Sequence, residues 1–151
     1  MPRTAAATDA SRIDQDVLDD LVGYALRRAQ LAVYEDFAAT LGPSLTPQRF
    51  AALVLVGANP GLSQTALGEL LCIARSGSMV LVDWLEQEGL VERRPRPEDR
   101  RAYGLHLTGE GTAALDGWKR AAVDHDHRAT SALTAGERAE LHRLLRKLAD
   151  G

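Results

Sequence analysis

The chain has 151 residues, of which 45% are apolar, with a net charge of −3 and one cysteine. This length and composition predict one domain with a hydrophobic core of its own. They exclude a membrane span of about 18 apolar residues, a secretory signal and an internal disulfide. We therefore expect a cytoplasmic protein without a membrane partner.

The first predicted helix is unusually long. Ser11 and Asp14 form a capping arrangement at its start. Apolar residues then recur at helical spacing from Val17 to Phe37, until Gly42 and the following proline end the helix. A helix of about 28 residues is longer than a core of this size can cover, so the pattern predicts a partner chain.

Two shorter helices follow, each with a capping residue. Thr46 precedes a proline at the first helical position, and the apolar run behind it reads "FAALVLVGA". Ser63 caps the next helix, in which Ala66, Leu67 and Leu70 are expected to face inward. Their short separation, with the turn "NPG" between them, is typical of closely packed helices.

The fourth helix is predicted in "ARSGSMVLVDWLEQEG". Met79, Val82 and Leu85 form an inward stripe at helical spacing, and Gly89 ends the helix in a left-handed conformation.

Two strands, "LVERR" and "AYGLHL", come next and enclose a basic loop. Residues 93–101 hold five of the sixteen arginines against two acidic residues, a local net charge of +3 in an acidic protein. The loop therefore becomes the positively charged tip of a β-hairpin. Such a loop on its own is often only a solvated surface.

Two helices complete the chain. Thr108 caps one from about residue 110 to 130, and Thr134 with Glu137 forms a capping box for the last. The predicted fold is thus mainly α with a small β-hairpin wing, a winged helix-turn-helix flanked by long helices. A helix fits the major groove of duplex DNA, and an arginine-rich hairpin tip suits the negative potential of a narrow minor groove.

The chain resembles the MarR family of bacterial transcription regulators. The resemblance rests on "LSQTALGELL" and "LVDWLEQEGLVERRPRPEDRRAYGLHLTGEG", above all on "EGLVER", an Asp-x-Arg wing motif and "LTGEG". It implies a ligand-responsive repressor that binds a palindromic operator as a homodimer and responds to a small aromatic or phenolic effector. No cofactor, metal or catalytic residue is implied.

The resemblance also divides the chain. A disordered tail at 1–10 precedes a single domain at 11–151. Within that domain lie a winged core at about 46–108 and dimerisation helices at about 11–42 and 109–150. In the wing, the family pattern implies that Asp99 braces Arg101 for insertion into the minor groove.

One departure from the family pattern affects the candidate residues. Many members carry Ser or Thr followed by Arg near the middle of the recognition helix, where this chain has Met79 and Val80. We therefore expect Arg75, Ser76 and Ser78 to read bases, and Gln64 and Thr65 to contact phosphate. The wing candidates are Arg94, Arg96, Asp99, Arg100 and Arg101. The effector candidates are Tyr24, Arg28 and Trp118.

Other features have less specific explanations. Cys72 is predicted to be a buried, inert thiol rather than a redox sensor. The histidines of "DHDHR" at 124–128 are predicted to lie on a solvated helix face rather than at a metal site, since residues i and i+2 diverge on a helix.

Two other classes of function stay as alternatives to a DNA-binding regulator. An enzyme would need a convergent set of catalytic groups, and none is visible in the sequence. A winged helix that binds protein instead of DNA is the second alternative.

Overall fold

The computed structural model describes residues 13–151. The predicted tail at 1–10 and the capping residue Ser11 lie outside these described residues. The described chain belongs to two compact units, one ending at Ala32 and the other running from Val33 to Gly151. After a short 3₁₀ helix at Asp16–Asp20, the elements are α1 (Val22–Tyr34), α2 (Phe37–Leu41), α3 (Pro47–Ala58), α4 (Gln64–Leu70), α5 (Arg75–Gln87), β1 (Val91–Pro95), β2 (Tyr103–Leu107), α6 (Gly109–Ala129) and α7 (Ala135–Asp150).

The predicted winged helix-turn-helix is confirmed, and the helices begin where the sequence places their caps. The side chains of Thr46, Ser63 and Thr108 accept backbone N–H groups at 3.2, 3.1 and 2.9 Å in the first turns of α3, α4 and α6. At α7, Thr134 and Glu137 form the reciprocal capping box. The pKa of the Glu137 carboxyl is below its ordinary value, mainly because it accepts the Thr134 backbone N–H and also because it accepts the Thr134 hydroxyl.

The prediction of one long first helix is wrong. The Asp14 side chain accepts the backbone N–H of Asp16 at 2.9 Å, and Asp16 has a left-handed φ of 50°. This local turn competes with a regular helix start. Leu21 is extended, with φ −89° and ψ 116°, and separates the 3₁₀ helix from α1.

A second break separates α1 from α2, and a tertiary contact lies at this break. Asp36 caps α2 without a side-chain capping bond. Its carboxylate instead lies 2.7 Å from Nε2 of His125, whose side chain is 3% exposed. A buried imidazole needs a polar partner, and Asp36 supplies it from the turn. The prediction that the histidines at 124–128 lie on a solvated helix face is therefore wrong for His125.

The core of the second unit gathers apolar residues from α2, α3, α4, α5, the hairpin and α6. Leu53, Leu67 and Leu85 are fully buried, one from each of α3, α4 and α5. Leu70 and Met79, predicted to face inward, are instead 56% and 51% exposed. Helix α4 has only seven residues, so a single face of it packs inward.

The wing pairs in the register Val91 with Leu107 and Pro95 with Tyr103, and it is fastened to the loop before α4. Leu105 exchanges backbone hydrogen bonds with this loop, at 2.9 Å to Gly61 and 2.8 Å to Leu62. A Cβ atom at position 104 would lie 2.7 Å from the Gly61 backbone. Only glycine permits this approach, so the hairpin base is fixed against the helix-turn-helix.

No single helix in the described part of the chain is long and apolar enough to cross a membrane. Helices α4 and α5 are long and apolar enough for a membrane span only when they are taken together, and the chain bends by 112° between them.

Candidate nucleic-acid interface

Helix α5 has two distinct faces. Ser78, Leu81, Val82 and Leu85 are buried against the core, at the i, i+3, i+4 spacing of one helix side. Ser78 is 1% exposed and donates its hydroxyl to the Arg75 carbonyl at 2.9 Å. Ser78 is therefore not available to a base, and its assignment as a DNA-reading residue is corrected.

Ser78 has a packing role instead. A Cβ atom at Gly68 of α4 would lie 3.1 Å from the Ser78 Cβ and 3.3 Å from its Oγ. Two small residues thus let α4 and α5 approach closely, which a larger pair would prevent.

The opposite face of α5 is open to solvent. Arg75, Ser76, Met79, Val80 and Asp83 are exposed along it, so two of the three predicted base-reading residues lie on an accessible surface. The first turn of α5 carries Arg75 and no acidic residue. Its free N–H groups and its cation both favour an anionic partner.

The predicted phosphate contacts lie at the start of α4. Thr65 is exposed, and Gln64 is partly buried. The side-chain amide oxygen of Gln64 accepts a hydrogen bond from the Arg93 guanidinium at 3.1 Å. The side-chain NH2 group of Gln64 is left as the donor toward a partner.

Arg93 is the central charged residue of the winged core. From β1 its guanidinium pairs with Glu86 and, at 2.9 Å, with Asp83, both on α5. The Arg93 backbone N–H also donates to Glu86 at 3.2 Å. One side chain therefore links β1, α4 and α5, and its single positive charge offsets one of the two negative charges that Asp83 and Glu86 place on α5. The sequence indicated a basic cluster, but not this internal role.

The next arginine in β1 points the other way, because successive strand residues face opposite sides. Arg94 pairs with Glu92, with both side chains about half exposed. It borders a cavity of about 260 Å³, together with His106, Asp116 and Lys119. Arg94 thus lies opposite Gly104, one pair before the loop, on the side of the hairpin away from Arg93.

Arg96 contributes to the attachment of the wing. Its Nη2 donates to the Gly61 carbonyl at 3.0 Å, and its backbone N–H donates to the Ala102 carbonyl at 2.9 Å. The side chain remains exposed.

Asp99 organises the wing tip through the backbone. Its Oδ1 accepts the Arg101 backbone N–H at 2.9 Å, and its carbonyl accepts the Ala102 N–H at 3.0 Å. Within residues 13–151 the guanidinium groups of Arg100 and Arg101 form no hydrogen bond or ion pair, and both side chains are exposed. The carboxylate therefore fixes the backbone from which Arg101 projects.

Cys72 is exposed, so the prediction of a buried thiol is wrong. It has a left-handed φ of 51° in the turn after α4. Among the residues that the structure describes, no group of three or more His, Cys, Asp or Glu side chains could hold a metal ion.

The predicted effector residues are divided between the two units. In the first unit, the Tyr24 hydroxyl donates to Gln15 at 2.8 Å, and the Arg28 guanidinium lies 6.0 Å from the Tyr24 ring centroid. In the second unit, Trp118 of α6 and Trp84 of α5 line a cavity of about 270 Å³. Whether Tyr24 and Arg28 contribute to an effector site stays a prediction.

The sequence matches one family along its central part and a relative along nearly its whole length. A family model described as the MarR family matches residues 44–102. A protein of Thauera aromatica, assigned to regulation of the hcr operon, is 34% identical over 145 residues, covering 95% of this chain and 87% of that protein. The chain belongs to the MarR family of transcription regulators.

Solved structures agree with this assignment. The repressor CouR bound to a 23-mer DNA duplex has a TM-score of 0.85 and 40% identity, covering 91% of this chain and 98% of CouR. CouR bound to p-coumaroyl-CoA has a TM-score of 0.82 and 38% identity, and the match covers 91% of this chain and 97% of that CouR chain. The DNA binding of Bordetella bronchiseptica BpsR is regulated by 6-hydroxynicotinic acid. BpsR has a TM-score of 0.82 and 25% identity, and the match covers 88% of this chain and 96% of BpsR. The predicted family is confirmed, and this MarR-family protein is a transcription regulator.

The Arg93 cluster generates a stability prediction for this regulator. Arg93→Ala leaves the Asp83 and Glu86 carboxylates facing each other and should lower the free energy of unfolding by about 1–3 kcal/mol. Arg94→Ala is the matched control, because its exposed pair contributes less than about 1 kcal/mol. Urea denaturation of both variants at equal protein concentration measures the difference. Equal losses would contradict the central role of Arg93.

Proposed function

We propose that this MarR-family protein is a homodimeric repressor that binds a palindromic DNA operator and releases it when an aromatic effector binds. It acts by binding rather than by catalysis. The DNA surface consists of the exposed face of α5, the start of α4 and the wing tip. The observation that carries the proposal is the pair of exposed arginines, Arg100 and Arg101, which have no side-chain partner among residues 13–151 and lie on a tip ordered by Asp99.

The charges of this surface support a polyanionic partner. The whole chain carries −3, yet Arg93 pairs with both the Asp83 and the Glu86 carboxylate of α5 and reduces the charge of that cluster to −1. Arg75 and the wing arginines then leave this face positive. A local positive field, rather than net charge, governs association with duplex DNA.

Dimerisation is supported by exposed apolar residues. Helix α7 leaves Leu141, Leu144, Leu145 and Leu148 between 38% and 58% exposed. In the first unit, apolar residues from Ile13 to Val22 are also exposed. Contiguous apolar surface of this kind marks an interface in soluble proteins. A two-fold dimer presents two α5 helices to half-sites about one helical turn apart.

The dimer can be tested by sedimentation. The wild-type protein should sediment at about twice 16.3 kDa at micromolar concentration. The double variant Leu144→Glu/Leu148→Glu should not form this dimer, because two carboxylates would be desolvated at the interface. Arg146→Gln, on the other side of α7, is the control and should stay dimeric. A well-folded wild-type monomer of 16.3 kDa would rule out the proposal.

The effector is proposed to bind in the cavity lined by Trp84 and Trp118. The cavity also contacts Leu45 and Leu90, with Ser44 and Glu88 as its polar members, and this mainly apolar and aromatic lining suits a planar ring. The ligands of CouR and BpsR, p-coumaroyl-CoA and 6-hydroxynicotinic acid, indicate the chemical class. The cavity lies between α5 and α6, so its occupant can bias the position of the recognition helix. Release requires that the effector prefers the conformation that does not bind DNA.

Both tryptophans of the chain line this cavity, so intrinsic fluorescence reports on it directly. We expect p-coumaroyl-CoA or 6-hydroxynicotinic acid to quench the tryptophan emission and to weaken operator binding over the same concentration range. Coenzyme A alone is the control and should do neither. Unchanged emission and unchanged operator affinity with both aromatic compounds would contradict this site.

The assignment of the wing as a DNA contact predicts that removing the negative charge of Asp99 weakens DNA binding, whereas net charge alone predicts that it strengthens binding. The operator is first obtained by selecting genomic fragments that the purified protein retains. Arg101→Ala should then weaken binding by about 1–3 kcal/mol and reduce the salt dependence by about one counterion. Asp99→Ala should also weaken binding, although it removes a negative charge, because the Arg101 backbone loses its hydrogen-bond acceptor.

Glu98→Ala is the matched control for this prediction. Glu98 is the neighbouring exposed carboxylate, and within residues 13–151 it makes no side-chain hydrogen bond, so its removal changes charge without changing the order of the tip. It should leave binding unchanged or strengthen it. Titrations across a salt series separate the two explanations. If Asp99→Ala tightens binding as Glu98→Ala does, and Arg101→Ala has no effect, the wing assignment is wrong.

A further inference from the structure

Two apolar side chains occupy the middle of the exposed α5 face. Met79 is 51% exposed and Val80 is 69% exposed. They lie one turn beyond Ser76 on the same side of the helix, and no described residue covers them. Most of the remaining large apolar residues of α5 are buried, so this exposure is confined to the centre of the face.

The surroundings of these two residues are polar and positive. Val80 borders an open hollow of about 460 Å³, together with Gln48, Arg49 and Ser76. The Arg49 guanidinium is held over the Trp84 ring at 3.7 Å and donates to the Ser44 carbonyl. An apolar centre with a cationic rim matches the major groove, where base edges lie between rows of phosphates.

The acidic residue beside this centre is already in an ion pair. Asp83, one turn after Met79, pairs with Arg93 at 2.9 Å. Without that pair, a carboxylate would oppose the approach of DNA to Met79 and Val80. With it, the apolar side chains can come close to base edges.

Apolar side chains find one apolar partner in the major groove. Among the four bases only thymine presents a methyl group there, on C5, and contact with that methyl is the usual form of apolar base recognition. Val80 is stiff at χ1 because it is β-branched, so it presents its methyl groups in a fixed direction. Met79 is flexible and can adapt to a neighbouring base pair.

We propose that Met79 and Val80 read thymine through its C5-methyl group in each half-site of the operator. This inference rests on the proposed function, since it requires that α5 enters the major groove. It extends that function by assigning part of the sequence preference to apolar contact, in addition to hydrogen bonds from Arg75 and Ser76.

Replacing thymine with deoxyuridine tests the proposal, because it removes the methyl group and leaves every hydrogen-bonding atom in place. Operator duplexes carry the replacement at one thymine position at a time, in both half-sites together. At one or two positions the wild-type protein should lose roughly fourfold in affinity per half-site, on the order of tenfold for the symmetric pair. Replacements outside the half-sites should have no effect.

Val80→Ala and Met79→Ala identify which side chain reads which methyl group. Both residues are exposed and alanine favours the helix, so the variants should fold as the wild type does, which circular dichroism checks. At its own thymine each variant should bind the thymine and deoxyuridine operators equally. At the thymine read by the other residue, each should still discriminate.

The failures of the two proposals are distinguishable. A protein that retains no DNA fragment in a salt-sensitive way overturns both. Tight, sequence-specific binding that is unaffected by deoxyuridine at every half-site thymine overturns only thymine reading. Equal methyl discrimination by the wild type and both alanine variants also overturns it, because the methyl groups would then be read by other residues.

Discussion

The guanidinium group of Arg93 determines how the parts of the winged core are held together. It pairs with Asp83 and Glu86 on α5 and donates to Gln64 at the start of α4. The wing therefore meets the recognition helix through an ion-pair cluster, while Gly104 and Gly61 bring the backbones together on the other side. The same guanidinium offsets one of the two negative charges that these carboxylates place beside the proposed DNA surface. One side chain thus contributes both to the attachment of the wing and to the surface potential.

The elements that could be predicted from the sequence are those with local causes. Thr46, Ser63 and Thr108 each cap a helix with a hydrogen bond to a backbone group three residues away, so the signal and its effect lie within one turn. The hairpin follows from alternating residues on either side of a polar loop. The arginine-rich tip was evident for the same reason, because its charge is concentrated in nine consecutive positions.

The predictions that were wrong concern residues whose environment depends on contacts distant in sequence or on local backbone geometry. At the break of the first helix, the Asp36 carboxylate is the partner of a buried His125 from α6, a contact that helical spacing does not show. Ser78 is buried because Gly68 of α4 leaves room for it, and helical spacing alone did not separate it from its exposed neighbour Ser76. Cys72 follows a helix that ends early in a left-handed turn. The opposite orientations of Arg93 and Arg94 could have been inferred from strand alternation, but the partners of Arg93 could not.

The two faces of α5 also affect how relatives of this protein can diverge. The buried face, with Ser78 set against Gly68, allows few changes because a larger residue at either position forces the helices apart. Among the described residues, Ser76, Met79 and Val80 are exposed and lie outside the core cluster, so substitutions there disturb the core little. After a gene duplication, one copy can therefore acquire a new set of target genes through a few substitutions there, while natural selection keeps the scaffold nearly unchanged.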